Sequence, residues 1–348
     1  MKKQFLFGLP LLALMLAACG GAASDAGPRT LTVMTHDSFA ISAEVVEAFE
    51  REQSAEVTFL KLGDTGEAVN KAVLAAGQPL ADVFYGVDNT FLSRALEGEI
   101  FEAYESARLA EIPDAFKLDS QFRVLPVNFG DVCVNYDVAY FEERQMLPPA
   151  SIEQLTSDYY ADALVVENPA TSSPGLAFLM ATIGHFGEEG YLDYWRALRD
   201  NGVKVTNDWE SAYYSEFSRW GGQYPLVVSY SSSPPVEVIF AEEPLSEAPT
   251  AAVIGAGSCF RQIEFVGILA GTEQRELAEA WVDYMLSSTF QEDLPLQMFV
   301  FPVLPSAQLP PEFVAHADLS DEPIILDYEA IAAKREEWIE AWTETMLR

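Results

Sequence analysis

Positive charge is scarce in this chain. Its 348 residues include 20 Lys and Arg against 54 Asp and Glu, a formal charge of −34. A field of that sign repels phosphate backbones and anionic membrane surfaces and attracts cations, so nucleic acid is excluded as a partner. Histidine is almost as rare: His36, His185 and His316 stand far apart, and no two cysteines form a Cys-x-x-Cys pair. The ligand spacing of a zinc site is therefore missing. No Walker loop, no Gly-x-Gly-x-x-Gly after a strand and no Gly-x-Ser-x-Gly occurs. A metalloenzyme, a nucleotide enzyme and a serine hydrolase each lose their usual signature. There is no internal repeat. What remains is an ordinary globular composition, 49% apolar and 12% aromatic. The length suits roughly two domains with a large core.

The opening residues read as an export segment. Met1-Lys2-Lys3 is positive, and Phe5 to Ala18 is apolar and uncharged. These are the two regions of a secretory signal, too short for a comfortable membrane span. Leu16-Ala17-Ala18-Cys19, followed by Gly20-Gly21-Ala22-Ala23-Ser24, resembles the bacterial lipobox. That resemblance implies a signal peptide over 1–18, a lipid on Cys19 and a flexible tether over 19–28. The lipid would hold the protein on the extracytoplasmic face of the cell membrane. The plainer alternative is an ordinary signal that happens to carry a cysteine. With Cys19 so used, Cys133 and Cys259 remain, and export permits either a disulfide or two free thiols.

From Arg29 onward, β and α patterns alternate. Leu31 to Thr35, Glu56 to Leu62 and Asp82 to Val87 read as strands. Between them Val45, Val46 and Phe49, then Ala68, Val69, Ala72 and Val73, recur at helical spacing. Such a βαβαβ run predicts a parallel sheet covered on both faces. A second alternation follows, with strands at 164–167, 226–230 and 251–255 and helices at about 174–186 and 191–201. Two long strand-like runs, Phe122 to Tyr136 and Cys259 to Ala270, read as crossings between two lobes. The expected division is a first lobe over 29–127, a second over 128–262, and a return to the first lobe with C-terminal helices over 263–348. This α/β, two-lobe arrangement with a two-strand hinge is the type II architecture of periplasmic solute-binding proteins.

Ligands in parallel sheets sit beyond the carboxyl ends of the strands. Those ends are polar here: His36-Asp37-Ser38, Gly63-Asp64-Thr65 and Asp88-Asn89. Plain turns would also be polar. Asn168-Pro169-Ala170-Thr171-Ser172-Ser173-Pro174-Gly175 opens a helix. Ser173 is expected to cap it, with Pro174 first in the helix. Free amides at such an end favour an anion. Trp209 stands at another turn, and Ser229-Tyr230-Ser231-Ser232-Ser233-Pro234 ends a strand in hydroxyls. Aromatics and hydroxyls at several strand ends suit a flat aromatic ligand.

Across nearly the whole mature chain these motifs resemble the thiamine-binding proteins of bacterial ABC importers. Thr35-His36-Asp37-Ser38-Phe39 is similar to the family's T-Y-D-S-F. Ala81-Asp82-Val83 through Gly86-Val87-Asp88-Asn89 is similar to A-D-V-x-x-G-x-D-N. Asn168-Pro169 through Ser173-Pro174-Gly175-Leu176 is similar to D-P-R-T-S-T-P-G-L. Trp209-Glu210-Ser211-Ala212-Tyr213 matches W-S-E-A-Y, and Ser229 to Pro234 matches S-Y-T-T-S-P. The resemblance implies a monomeric receptor without a cofactor. It would deliver thiamine or its phosphates to an ABC permease and touch the membrane through its lipid alone. The implied ligand residues are His36, Asp64, Thr65, Ser172, Ser173, Trp209, Tyr230, Ser231, Ser232, Ser233 and Phe299; Asp88, at its polar strand end, and Asp131, as a carboxylate that would attract a cation, join the candidates from the residues themselves. His36 replaces the family's Tyr, and Phe299 falls near its late Trp.

Two other readings stand beside this one. A receptor of the same fold for a polyamine or ferric iron would use acids and aromatics, or paired tyrosines such as Tyr159-Tyr160 and Tyr213-Tyr214. A thiaminase I-like enzyme would need Cys133 as nucleophile, yet Asp131 and Asp137 beside it disfavour a thiolate. Finally, if the two crossings lie side by side, Cys133 and Cys259 come within bonding reach, and a disulfide between them is expected.

Overall fold

The computed structural model describes residues 29–348. The expected signal, Cys19 and the tether lie outside the described residues. Three parallel strands start the first lobe: β1 (Arg29–Thr35), β2 (Ala55–Lys61) and β3 (Val83–Asp88). They alternate with α1 (Ala43–Gln53) and α2 (Thr65–Leu74), and α3 (Leu92–Glu97) and the two-residue strand β4 (Phe101–Glu102) follow. The chain then crosses on β5 (Leu125–Asp137) and adds α4 (Val138–Glu143). In the second lobe β6 (Leu164–Glu167) is parallel to β7 (Lys204–Thr206) and to β8 (Leu226–Tyr230), with α5 (Ser173–Asp200) between the first two. After α6 (Ser233–Ile239) and β9 (Thr250–Val253), β10 (Phe260–Leu269) crosses back. Then come α7 (Arg275–Met285), α8 (Ser288–Gln291), α9 (Leu294–Gln297), β11 (Phe301–Pro302), α10 (Pro311–His316) and α11 (Tyr328–Leu347).

The main strand order is β2-β1-β3-β10-β5-β8-β6-β7. Two parallel halves thus flank one antiparallel pair, β10 and β5. The N-terminal half of β5 pairs with β10 and β11, and its C-terminal half pairs with β8 and β9. The divisions expected at 127/128 and 262/263 fall inside these two strands. Cys133 and Cys259 are joined by a disulfide at this crossing, with Cα atoms 4.4 Å apart.

Both faces of the first parallel half are buried, as crossover helices require. Leu31 and Val33 face a core completed by Phe49, Trp281 and Phe290, whereas Met34 faces Val69 and Phe84. One glycine breaks the alternation. Gly86, at φ 103°, is skipped in the pairing of β3 with β10, where Val87 meets Phe265 and Tyr85 meets Val266. Such a bulge turns the following side chain to the other face, and Val87 joins the core of Phe84 while Tyr85 stays with Val83.

One expectation is met and one needs correction. The helices expected at about 174–186 and 191–201 are two helical stretches of α5 that meet at the non-helical Gly187. The chain after 263 does not stay with the first lobe. Leu277, Trp281, Phe290 and Leu294 do pack there, but α10 lies on α6, and α11 lies on α5. The stripe Ile331, Trp338, Ile339 and Trp342 carries α11 across, with Trp342 edge-on to Trp195 at 5.5 Å. Arg335 of the same helix sits over the Phe91 ring of the first lobe at 5.2 Å. The last helix therefore spans both lobes.

The bond between Cys133 and Cys259 closes a sequence separation of 126. Replacing both by alanine should lower unfolding free energy by about 2–4 kcal/mol, read from denaturant titration. Thiol titration of the denatured, unreduced mature protein should find no free Cys133 or Cys259, and two reactive thiols there would refute the bridge.

Candidate functional site

The carboxyl ends of both parallel halves point at each other across the crossing strands. The cleft between them is a cavity of about 210 Å³. The first lobe supplies His36 and Ser38 after β1, and Asp64 and Thr65 at the start of α2. The second supplies Ser173 at the start of α5, Trp209 and Tyr214 after β7, Tyr230 at the end of β8 and Ser233 at the start of α6. Glu264 enters from β10, and Gln297, Met298 and Phe299 close the side before β11. The lobes also touch directly, since the Gly66 amide donates to the Thr171 carbonyl at 3.1 Å.

Asp64 belongs to both lobes at once. Its carboxylate accepts the Thr65 amide at 2.7 Å, capping α2, and the Trp209 amide of the facing lobe at 3.4 Å. Burial pushes its pKa above the ordinary range, and the Thr65 amide, the Ser172 hydroxyl, His36 and Trp209 offset only part of this. Across the floor, His36 Nε2 lies 3.3 Å from Glu264 Oε1. Burial opposes the imidazolium, but the Glu264 carboxylate facing it, with Asp64 beyond, outweighs this and raises the pKa of His36. Burial likewise opposes the Glu264 carboxylate, yet His36, Asn128 and Tyr85 hold its pKa below the usual value.

The aromatic wall is held from behind. The Trp209 indole N–H donates to Ser229 Oγ at 3.0 Å, and its ring stacks on Tyr213 at 5.1 Å. Gln262 donates to the Tyr230 hydroxyl at 3.1 Å. A side chain at Gly130 would meet the Tyr230 ring at 3.1 Å, so only glycine there admits the ring comfortably. Phe299 has φ 60°, a costly conformation for a side chain of that size. The Ser232 hydroxyl donates to its carbonyl. Ser173 and Ser231 have buried hydroxyls with no hydrogen-bond partner.

Of the residues expected at the site, the cavity brings together His36, Asp64, Thr65, Ser173, Trp209, Tyr230, Ser233 and Phe299. The others stand behind it. Asp131 is fully buried but takes both hydrogen bonds of the Arg261 guanidinium and the Ser320 amide, so its charge is already matched. Asp88 accepts the Thr90 amide and hydroxyl and the Phe91 amide, capping the turn into α3. Ser172, rather than Ser173, is the N-cap of α5; Ser173 opens the helix and Pro174 comes second. Ser231 donates its amide to the Asp131 carbonyl, and Ser232 positions Phe299. Sequence reasoning missed Glu264, Gln297 and Met298, and named Ser38 only within a polar strand end, Glu210 only within a matched motif and Tyr214 only under the ferric-iron reading. Glu264 did carry a signal: a carboxylate inside an apolar crossing strand is costly unless it has a task.

The family model for bacterial extracellular solute-binding proteins matches residues 78–334. Over 347 residues the chain is 29% identical to the thiamine-binding periplasmic protein of Salmonella typhimurium, covering 98% of each chain. It is 28% identical to that of Brucella suis over 341 residues, covering 96% of this chain and 97% of the relative. A solved periplasmic thiamin binding protein superposes with TM-score 0.81 at 26% identity, over 92% of this chain and 97% of that one. Iron-bound HitA from Pseudomonas aeruginosa shares the fold, with TM-score 0.74 at 17% identity over 91% and 99%.

One titration follows from the buried acids. Burial, first of all, lifts the Asp88 pKa from 3.8 to about 7. Between those values the folded state keeps a proton that the unfolded state has released, so stability falls as pH rises through this window. Asp88→Asn keeps the accepting oxygen and removes the ionisation. The difference in melting temperature between about pH 5 and about pH 8 should be smaller in Asp88→Asn than in the parent. Equal differences would show that Asp88 does not titrate there.

Proposed function

The chain belongs to the bacterial extracellular solute-binding proteins, and from that premise we propose that its solute is thiamine or a thiamine phosphate. The observation that carries this reading is one cavity with aromatic walls, a buried and a half-buried carboxylate, and an open helix start. Trp209, Tyr214, Tyr230 and Phe299 provide flat apolar faces, and Asp64 and Glu264 provide negative charge. Thiamine has a permanently positive thiazolium, a flat aminopyrimidine and a hydroxyethyl arm that can carry phosphate. A cation over an aromatic face gains about 0.5–2 kcal/mol. The first amides of α5 and the unpartnered Ser173 hydroxyl suit the arm or its phosphate. The names of the relatives point the same way. The protein would deliver this solute to an ABC permease, working as a monomer held to the membrane by a lipid on Cys19.

The competing readings draw less support. An enzyme would need a free Cys133, and that sulfur is bonded to Cys259. Tyr159 and Tyr160 pack on one another at 4.9 Å, outside the cleft. Tyr213 gives its hydroxyl to Glu237 at 2.7 Å. Neither pair presents two free phenols to a ferric ion. Native mass spectrometry of the purified protein, followed by calorimetry with thiamine, its phosphates, spermidine and ferric citrate, tests the proposal. A carried or preferred solute other than a thiamine would overturn it.

Trp209→Ala and Tyr230→Ala should each weaken thiamine binding by about 1–3 kcal/mol. Parental affinity in both variants, by calorimetry, would reject the site. Cys19→Ser should shift the protein from the membrane fraction to a soluble or uncleaved form. Unchanged fractionation would remove the lipid anchor from the account.

A further inference from the structure

The His36–Glu264 pair does more than line the floor. Glu264 lies in β10, opposite Asp88 of β3 and Asn128 of β5, and is almost fully buried. Its two oxygens are used differently. Oε2 accepts the Tyr85 hydroxyl at 3.0 Å, and Tyr85 in turn accepts the Asn128 side-chain N–H. An amide N–H can only donate, so the Tyr85 proton points at Glu264 and that oxygen is an acceptor. Oε1 is the free side, and His36 Nε2 stands 3.3 Å from it. The backbone reserves room for the ring, because a Cβ at Gly86 would fall 2.3 Å from His36 Cδ2. The bulge at Gly86 thus keeps the imidazole at Oε1.

The groups facing His36 are Glu264 from β10, Asp64 from the start of α2 and Lys61 from the end of β2, with Tyr85 of β3 beside its ring. Facing Glu264 and Tyr230 are Asp88 and Asp64, which add to the negative field. Lys61 turns its ammonium to the Asp37 carbonyl in an exposed position. His36 is therefore the group beside Glu264 that can carry a positive charge within the floor. Tyr230 and Glu264 border the same cavity. A positive ring stacked on that wall would lie against Oε1 and repel the imidazolium in a setting with little screening.

We propose that Glu264 is the counter-ion of the cationic solute, that His36 occupies this role in the empty cleft, and that capture releases the His36 proton to solvent. The proposal rests on the thiamine reading and deepens it. It makes Glu264 a specificity-determining residue: a solute without fixed positive charge cannot displace the imidazolium. Binding then exchanges one proton for one cationic ligand, so affinity rises with pH until the imidazole of the empty protein is itself neutral, and then levels.

Calorimetry with thiamine, above the range where its aminopyrimidine titrates, tests this in buffers of different ionisation enthalpy. The parent should release up to one proton per thiamine, with affinity rising up to tenfold per pH unit. His36→Gln, shown folded by its melting curve, should bind thiamine with a flatter pH slope and fewer protons released than the parent, any remainder belonging to Asp88. Glu264→Gln should lose affinity throughout the range. Thiamine binding without proton release in the parent, or an unchanged pH slope in His36→Gln, would overturn the proposal and leave the thiamine reading standing. Absence of any thiamine binding by the parent would overturn both. If His36→Gln fails to fold, thiamine binding without proton release in the parent still overturns the proposal.

Discussion

Everything in this molecule hangs on the antiparallel pairing of β5 with β10. Those two strands stand side by side at the centre of the main sheet, each antiparallel to the other and to the parallel triplet on its own side. They serve as the shared floor of the cleft and as the route by which the chain leaves and re-enters the first lobe. The pairing also fixes which residues look into the cleft. Phe260 lies opposite Val132, and the neighbouring Cys259 and Cys133 are bonded. A one-residue slip would turn Glu264 away from Tyr85 and bury it among hydrocarbon. Register, disulfide and floor chemistry are thus one constraint.

From that floor the two lobes offer complementary chemistry. The first brings charge, through His36, Asp64 and the Glu264 that β10 shares with it. The second brings faces and hydroxyls, through Trp209, Tyr214, Tyr230, Ser173 and Ser233. Asp64 links them, since it caps a helix of one lobe and accepts an amide from the other. The strongly acidic surface of the whole chain has the same sign as the cleft, so a cationic solute is drawn toward the protein before it meets the site.

Much of this was legible beforehand because it rests on local rules. Strand and helix periods revealed the βαβ units, and the two long apolar runs were recognisable as crossings. Strand ends revealed His36, Asp64, Trp209 and Tyr230, since the fold class places ligands there. The errors came where a residue's role depends on a distant partner. Asp131 reads like a site carboxylate until Arg261, 130 positions away, is found to neutralise it. Ser231 and Ser232 sit in the right run, but the turn buries the Ser231 hydroxyl without a partner and gives that of Ser232 to the Phe299 carbonyl. Glu264 was hidden because strand patterning treats a lone charge as noise. The course of α11 was also hidden, because an apolar stripe shows that a helix is covered without showing by what.

That last helix also limits how the two lobes can separate. Arg335 rests over Phe91 on one side, and Trp342 is wedged against Trp195 on the other. A rotation axis far from α11 would pull one of these seats apart and bare tryptophan surface. An axis running close beside the helix leaves both seats nearly still. Displacement then grows with the lever arm measured from α11. By that geometry the C-terminus of the chain acts as the spine of a book: the rim opens widely for a small turn, while the seam stays dry.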